Sequence, residues 1–211
     1  MEIREKTDMK ERILAKARDL FMQYGIRSIT MDEIASQLGI SKKTIYQFFT
    51  DKDEMVEAVV TNEIRENEQG CSWAEENARD AVHEIFLAME NVMDMMKSMN
   101  PQLLYDLEKH HPRAFQSLKQ HKYQFLLNKI RENLDKGIRE GLYREDLDTD
   151  IACRYRIESI FMVFNQEAFP VSKYPMNRTC EELALLFLHS VCTPEGKERI
   201  AQYLNERQKT M

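Results

Sequence analysis

The segment from residue 30 to residue 52 limits the possible folds most, because it predicts two short amphipathic helices joined by a tight turn. Thr30 can cap the first helix, and Glu33 can bond back to it, as in a capping box. Gly39 marks the end of that helix, since glycine adopts the left-handed conformation at little cost. Ser41 is the expected cap of the second helix. Helices this short are not stable alone, so they must share one core.

The second of these helices has an apolar face and a polar face with different chemistry. Ile45, Phe48 and Phe49 are expected to face the core. The outward face combines two cations, a hydroxyl, a phenol and an amide, and a short helix that presents such groups suits the major groove of DNA. Its residues are Lys42, Lys43, Thr44, Tyr46 and Gln47.

This segment resembles the helix-turn-helix of the TetR family of one-component repressors. The pattern of the family around the second helix is matched by Ser41, Thr44, Ile45, Tyr46, Phe48, Phe49 and Lys52. The preceding helices also fit, with Phe21, Tyr24, Gly25 and Ile26 followed by Thr30, Ile34 and Ala35. The match covers about residues 8–66.

The resemblance implies an all-α fold of about ten helices in two domains. Residues 1–68 would form the DNA-binding domain, built on a three-helix helix-turn-helix, and residues 69–211 a helical domain for effector binding and dimerisation. It also implies a homodimer on double-stranded DNA. A two-fold protein is expected to bind a palindromic operator, with half-sites one turn of about 34–36 Å or more apart.

Roles on the DNA follow from the chemistry of each side chain. Lys42 and Lys43 are assigned to phosphates or guanine edges, and Gln47 to an adenine, which an amide can bind through two hydrogen bonds. Thr44 and Tyr46 are assigned to phosphates, with contact to a thymine methyl as a second role for Tyr46. Phe48 lies where relatives sometimes place a base-contacting residue, but we interpret it as core or edge packing. The predicted DNA-binding set also includes the caps Thr30 and Ser41, and Lys52, which is expected to grip the backbone.

The composition agrees with a helical, soluble chain. Gly and Pro number 6 and 5 among 211 residues, and no apolar stretch is long enough to span a membrane. The N-terminus is charged and lacks a signal core, so a cytoplasmic location is expected. Four cysteines without a C-x-x-C pair are interpreted as small core residues in a reducing compartment rather than as redox sensors.

The net charge of −6 is unevenly distributed. Residues 1–52 contain ten Lys/Arg against eight Asp/Glu, whereas the remainder contains 20 against 28. An acidic body with a cationic tip is compatible with DNA binding, because only the contacting face needs a positive potential. Non-specific binding should be weak and should decrease quickly with salt.

Beyond the helix-turn-helix, Gly70 is expected to break a fourth helix at the domain boundary, and the next helix is expected to begin near Ser72. Two later helices are apolar on more than one side and must therefore be buried on more than one side. They predict a four-helix bundle between two copies of the chain. The candidate interface residues are Ile157, Ile160, Phe164, Leu183, Leu186 and Phe187.

By resemblance, the C-terminal domain would hold an effector pocket. A wall rich in methionine adapts to irregular shapes, so a lipophilic small molecule is expected. The alternative is that these side chains simply fill the core. Ligand binding would act on the DNA-binding domain through the helix at residues 52–68. The candidate pocket residues are Met89, Met93, Met96, Leu103, Tyr105, Tyr123, Phe125 and Phe161.

Two other functional classes compete with this interpretation. An enzyme or a metal site could use His110, His111 and His121, but the sequence lacks metalloprotease, phosphate-loop and nucleophile motifs. We therefore predict no catalysis, no cofactor and no metal. A helical protein-interaction adaptor without DNA binding would need the same apolar faces, but would not need the polar face of residues 42–47. The family habit is repression, although the residues do not distinguish repressor from activator.

Overall fold

The computed structural model describes residues 2–97 and 99–210, with side chains over 7–97 and 99–209. Met1 and Met211, the outer limits of the predicted domains, lie outside the described residues. This part of the chain contains helices and no strand, which confirms the all-α prediction. The α-helices are α1 (Glu2–Tyr24), α2 (Met31–Leu38), α3 (Lys42–Ile45), α4 (Lys52–Asn77), α5 (Ala81–Met96), α6 (Leu103–His110), α7 (Pro112–Gln120), α8 (Leu127–Arg139), α9 (Thr149–Met162), α10 (Met176–Val191) and α11 (Pro194–Thr210).

A π-helical segment, His121–Leu126, joins α7 to α8 without a break. When these three are counted as one helix, the described residues contain ten helices, in agreement with the prediction. Within the same residues, no helix is long and apolar enough to cross a lipid bilayer.

The chain divides into two compact units. The first unit contains residues 2–66 and 99–119, and the second contains residues 67–97 and 120–210. The predicted limit at residue 68 falls close to the division in α4, but residues 99–119 also belong to the first unit. Their inclusion has a physical reason, because Leu107 of α6 and Ala114 of α7 are buried in the same core as α1–α4.

The core of the first unit includes an apolar face of α1, which the sequence predicts because apolar residues recur three and four positions apart from Ile13 to Tyr24. Ile13, Ala17 and Phe21 are buried there, whereas Tyr24 at the end of this face is 52% exposed. The Arg18 guanidinium also binds the Glu63 carboxylate through two nitrogen atoms, which ties α1 to α4. The buried residues of α1 belong to the same core as those of the two short helices, α2 and α3.

Two predicted helix boundaries are wrong. The sequence predicts a capping box of Asp8 and Glu11 at the start of α1, but the helix already includes Glu2, so Asp8 lies inside the helix and does not cap it. Helix α4 continues through Gly70, because a glycine in a helix interior costs only about 1 kcal/mol and does not by itself end the helix. Asn91 of α5 approaches there, and its Nδ2 donates to the Gly70 carbonyl over 3.4 Å. Helix α5 therefore begins at Ala81 rather than near Ser72.

The second unit packs α5, α8, α9, α10 and α11 around a buried tyrosine. The Tyr143 hydroxyl is fully enclosed and donates to the Ala81 carbonyl and to Asn133 Oδ1, both over 3.1 Å. Gly137 makes room for this ring, since a Cβ there would lie 2.1 Å from Tyr143 Cδ2. Of the two candidate caps that the sequence offers for α9, Thr149 and Asp148, the cap is Asp148, which accepts from the Ile151 N–H over 3.0 Å.

Candidate nucleic-acid interface

The two short helices of the first unit are capped as the sequence predicts. Thr30 Oγ1 accepts from the Glu33 N–H over 3.2 Å, and Glu33 Oε2 accepts from the Thr30 N–H over 2.7 Å. Gly39 has φ 66° and ψ 29°, and its N–H bonds to carbonyls of the last turn of α2. Ser41 Oγ accepts from the Thr44 N–H over 3.1 Å. The direction in which α3 leaves the turn is therefore fixed by local hydrogen bonds.

Helix α3 is anchored from beneath by apolar side chains. Ile45 and Phe49 are fully buried, and Phe48 is half-buried against the same core, in agreement with edge packing. Backbone hydrogen bonds continue the helical turns as far as Phe49. On the other side, Lys43 and Gln47 are exposed, and Tyr46 is 45% exposed. This outward set, Lys42, Lys43, Tyr46 and Gln47, is called the α3 ridge below.

The cations of the α3 ridge differ in their contacts. Lys42 Nζ lies 2.8 Å from Asp32 Oδ2, and this hydrogen bond raises the pKa of Lys42. Both side chains are at least half exposed, so the pair is weak and a phosphate can replace Asp32. Lys43 has no ion pair within the described residues. The ridge therefore offers one cation without an internal partner and one with an exchangeable partner.

Lys52 has an internal contact that the sequence did not predict. Its Nζ donates to the Ile26 carbonyl over 2.6 Å and lies 6.0 Å from the centre of the Phe21 ring. Burial lowers the pKa of Lys52. The ammonium thus holds the loop after α1 against the start of α4. The predicted contact of Lys52 with a DNA phosphate remains a prediction. It would have to use the ammonium hydrogens that do not bond to the Ile26 carbonyl.

The same loop is supported by residues that the sequence analysis placed in the other domain. Gly25 has φ 82° after the end of α1, and Asp106 of α6 accepts from the Arg27 N–H over 3.1 Å. The Asn100 N–H also donates to the Met22 carbonyl over 2.6 Å. The sequence shows that residue 106 is an aspartate, but the spacing of nearby residues does not show that this aspartate is buried. Sequence reasoning therefore missed this support of the loop.

The match to a known protein family falls on the same part of the chain as these two short helices. The family described as "Bacterial regulatory proteins, tetR family" matches residues 13–59, which contain α2, α3 and their caps. The uncharacterised HTH-type transcriptional regulator YvaF of Bacillus subtilis is 35% identical over 111 residues, covering 52% of this chain and 58% of YvaF. The chain is therefore similar to TetR-family regulators through its helix-turn-helix segment.

Other TetR-like proteins share the fold over most of the chain. The transcriptional repressor KstR2 of Mycobacterium tuberculosis is 24% identical over 157 residues, covering 68% of this chain and 73% of KstR2. Its solved structure, named a ketosteroid transcriptional regulator, has a TM-score of 0.63 at 17% identity, covering 88% of this chain and 95% of that one. A transcriptional regulator from Saccharomonospora viridis, solved with choline, has a TM-score of 0.70 at 16% identity, covering 89% and 99%. All of these relatives are named as transcriptional regulators and none as an enzyme, in agreement with the prediction that the chain is not an enzyme.

The predicted pocket residues fall in both units. Leu103 and Tyr105 lie on α6 in the first unit, where Leu103 packs against the helix-turn-helix core. The other six lie in the second unit, where Met89 and Met96 are buried and Met93 is half-buried. Tyr123, Phe125 and Phe161 are also in the second unit, on the π-helical segment and on α9.

Two of these second-unit residues share a polar cluster. The Tyr123 hydroxyl donates to Glu158 over 2.7 Å, and Lys122 Nζ lies 2.8 Å from the same carboxylate. Lys122 Nζ is also 4.5 Å from the centre of the Phe161 ring. Tyr123 is 44% exposed, so this part of the predicted wall faces solvent rather than an apolar interior.

The predicted dimer residues divide into two groups. Ile157 and Phe187 are 1% exposed within the single chain, so they support the two helices from beneath and cannot themselves meet a partner. Ile160, Phe164 and Leu183 are half-buried, and Leu186 is 59% exposed. The exposed apolar residues of these helices also include three that the prediction omitted, namely Ile151, Tyr155 and Met162.

Two of the candidate histidines, His111 and His121, form hydrogen bonds within the protein. His111 Nδ1 lies 2.7 Å from Asp53 Oδ1, and His121 Nε2 lies 2.9 Å from Asn67 Oδ1. In the part of the chain that the structure describes, no three His, Cys, Asp or Glu side chains are placed to hold a metal. Burial raises the pKa of Cys71 to about 11 and that of Cys192 to about 12, so both thiols are protonated near neutral pH.

Proposed function

We propose that this chain is a ligand-responsive transcriptional repressor that binds a palindromic operator as a homodimer and leaves it when a small molecule binds the second unit. The α3 ridge carries this proposal. It presents two lysines, a phenol and an amide on a helix whose caps and buried side chains hold it rigidly outward. A preorganised polar helix of this kind is what major-groove recognition requires.

Two observations support the dimer and the effector. Helices α9 and α10 leave large apolar side chains exposed, among them Ile151 and Leu186, at 65% and 59%. A stable protein rarely leaves such side chains in water unless a partner covers them. The similarity to the regulator solved with choline supports a small molecule as the signal. A ligand that releases DNA 100-fold needs a coupling free energy of only about 2.7 kcal/mol.

Helix α4 offers a route for that coupling, because it contains residues of both units. A ligand that binds better to a conformation with the wrong spacing between the two α3 ridges would shift the population away from the DNA-binding state. The repressor that we propose would act in the cytoplasm, where the DNA is.

The experiment uses a DNA duplex that the full chain itself enriches from a random library. Gln47→Ala should weaken binding to this duplex by about 5- to 150-fold, because one base-reading contact contributes about 1–3 kcal/mol. It should also relax the sequence preference at one position of each half-site. Gln116→Ala is the matched control, since Gln116 is an exposed amide on α7 and does not belong to the α3 ridge.

Both substitutions should leave the thermal midpoint nearly unchanged, because each replaces an exposed side chain. Failure of the chain to enrich any duplex would refute the proposal. Equal binding by the Gln47→Ala and Gln116→Ala variants would remove Gln47 from the interface. A folded chain that binds no DNA would instead favour the interaction adaptor.

A further inference from the structure

One cation in the second unit is buried without a counter-charge. Arg156 lies on α9 and is only 6% exposed, yet it forms no ion pair with a carboxylate among the described residues. Its Nε atom makes no hydrogen bond to any of these residues. The guanidinium carbon lies 5.3 Å from the centre of the Phe187 ring.

This arrangement is costly for the protein alone. Burial lowers the pKa of Arg156, but arginine still remains protonated in proteins. A buried charge normally has an opposite charge or several hydrogen bonds to replace the water that it has lost. The ring of Phe187 provides only part of that replacement.

Among the described residues, no carboxylate acts on the Arg156 guanidinium as a counter-charge. The other polar residues buried in the second unit are His121, Asn133, Ser159 and Thr179, which carry no negative charge. The titratable groups that act on the guanidinium from neighbouring positions are Cys180, Tyr143 and Tyr155. Burial raises the pKa of both Cys180 and Tyr143, so these two stay neutral. The described interior of this unit therefore has one unbalanced positive charge.

We propose that Arg156 binds the carboxylate of a small molecule that has a single negative charge and an apolar remainder, and that this molecule is the effector of the repressor proposed above. The inference about the effector role rests on that proposed function. The planar guanidinium matches a carboxylate through two parallel hydrogen bonds. Two side chains near the guanidinium, Cys180 and Phe187, are buried and apolar, and suit an alkyl or aryl group.

The charge of the ligand follows from the single unbalanced positive charge in the described interior of the second unit. A phosphate monoester carries a charge of about −1.5 to −2 near neutral pH, which one guanidinium cannot balance. His121 does not supply a second positive charge, because burial lowers its pKa and keeps it neutral. A monocarboxylate leaves the interior neutral, and so is favoured over a phosphorylated molecule.

The test is a calorimetric titration of the full chain with octanoate, 1-octanol and inorganic phosphate. Octanoate should bind, whereas 1-octanol and phosphate should bind at least about tenfold more weakly. The variant Arg156→Met should lose on the order of 100-fold in octanoate affinity, because two charge-assisted hydrogen bonds disappear. Arg154→Met is the matched control, since Arg154 on the same helix has a 64% exposed side chain paired with Asp150, and it should bind octanoate as the unmodified chain does.

Each result bears on the proposal. If the unmodified chain binds 1-octanol or phosphate as tightly as octanoate, the assigned ligand class is wrong. If Arg156→Met binds octanoate normally, Arg156 is not the recognition residue. If octanoate does not bind and Arg156→Met shifts the monomer–dimer equilibrium, the missing counter-charge belongs to a second copy of the chain, which also overturns the proposal. Arg156→Lys retains the charge but cannot form the two parallel hydrogen bonds of the guanidinium, so it should bind octanoate about tenfold more weakly than the unmodified chain. This variant replaces Arg156→Met in the test if the methionine variant does not fold.

A gel shift separates this site from the repressor mechanism. Titration of octanoate into the complex with the enriched duplex should release the DNA from the unmodified chain and not from Arg156→Met. Binding of octanoate through Arg156 without release of DNA would confirm the carboxylate site and refute its effector role. Absence of DNA binding would refute the proposed function, while the calorimetric titration would still decide whether Arg156 binds a carboxylate.

Discussion

Replacement of Lys52 by methionine tests whether this lysine shapes the DNA-binding unit from within. The ammonium donates to the Ile26 carbonyl over 2.6 Å and faces the ring of Phe21. Methionine retains most of the apolar stem and removes the donor. The carbonyl at the end of the loop after α1 then loses its partner, while the packing of the stem is largely conserved.

The expected loss of stability follows from the type of bond. A hydrogen bond from a charged donor contributes about 1.5–3 kcal/mol, but the partial exposure of Lys52 and the cost of desolvating its ammonium reduce this to about 1 kcal/mol. For a chain of this size, that corresponds to a fall of about 2–4 °C in the thermal midpoint.

The assay is thermal unfolding followed by circular dichroism, and Lys43→Met is the control. Lys43 is exposed on the α3 ridge, so its replacement should leave the midpoint unchanged. In DNA titrations at several salt concentrations, Lys43→Met should instead reduce the slope of log affinity against log salt by about 0.9, as expected for one lost phosphate contact.

An unchanged midpoint in Lys52→Met would refute the internal role of Lys52. A reduced salt slope in the same variant would show, independently, that the ammonium also reaches a phosphate. The two measurements therefore separate the contact seen in the structure from the contact predicted from the sequence.

Three further predictions concern stability. Gly137→Ala should cost more than about 3 kcal/mol in urea unfolding, because the new methyl group would overlap the enclosed ring of Tyr143. Gly39→Ala should cost only about 1 kcal/mol in the same assay, since its φ of 66° strains alanine but nothing lies within 4 Å. Burial lowers the pKa of His121 from 6.5, so only the unfolded chain is protonated just below that pH. Stability should therefore be complete above about pH 6.5 and fall as the pH decreases towards the folded-state pKa, and His121→Phe should reduce that fall in urea midpoints measured from pH 7 to 5.

The helix-turn-helix could be predicted because its determinants are local. Thr30, Gly39 and Ser41 act on backbone groups within a few residues, and Ile45 and Phe49 follow at helical spacing. Such signals survive in a single sequence, since each depends on one residue type at one position. The caps and the buried face of α3 were accordingly confirmed in detail.

The supporting contacts could not be predicted because they join distant segments. Asp106 bonds to the Arg27 backbone 79 positions away, and nothing in the residues near either one indicates the other. The same limit explains the error at Gly70. Gly39 ends α2 and is followed by the cap of the next helix, whereas Gly70 lies inside α4 beside a residue of α5. Both are glycines, so residue type alone does not distinguish the glycine that ends a helix from the one that does not.

The partners of this chain are decided by where its cations lie rather than by its net charge of −6. On the α3 ridge, Lys42 and Lys43 remain in water, so their charges cost little in the free protein and become favourable when a polyanion replaces solvent and counterions. Arg156 is the opposite case, because its charge is already removed from water and has no balancing anion among the described residues. On the two proposals made above, an exposed cation would bind a nucleic acid at the α3 ridge, and a buried cation would bind a monocarboxylate in the second unit.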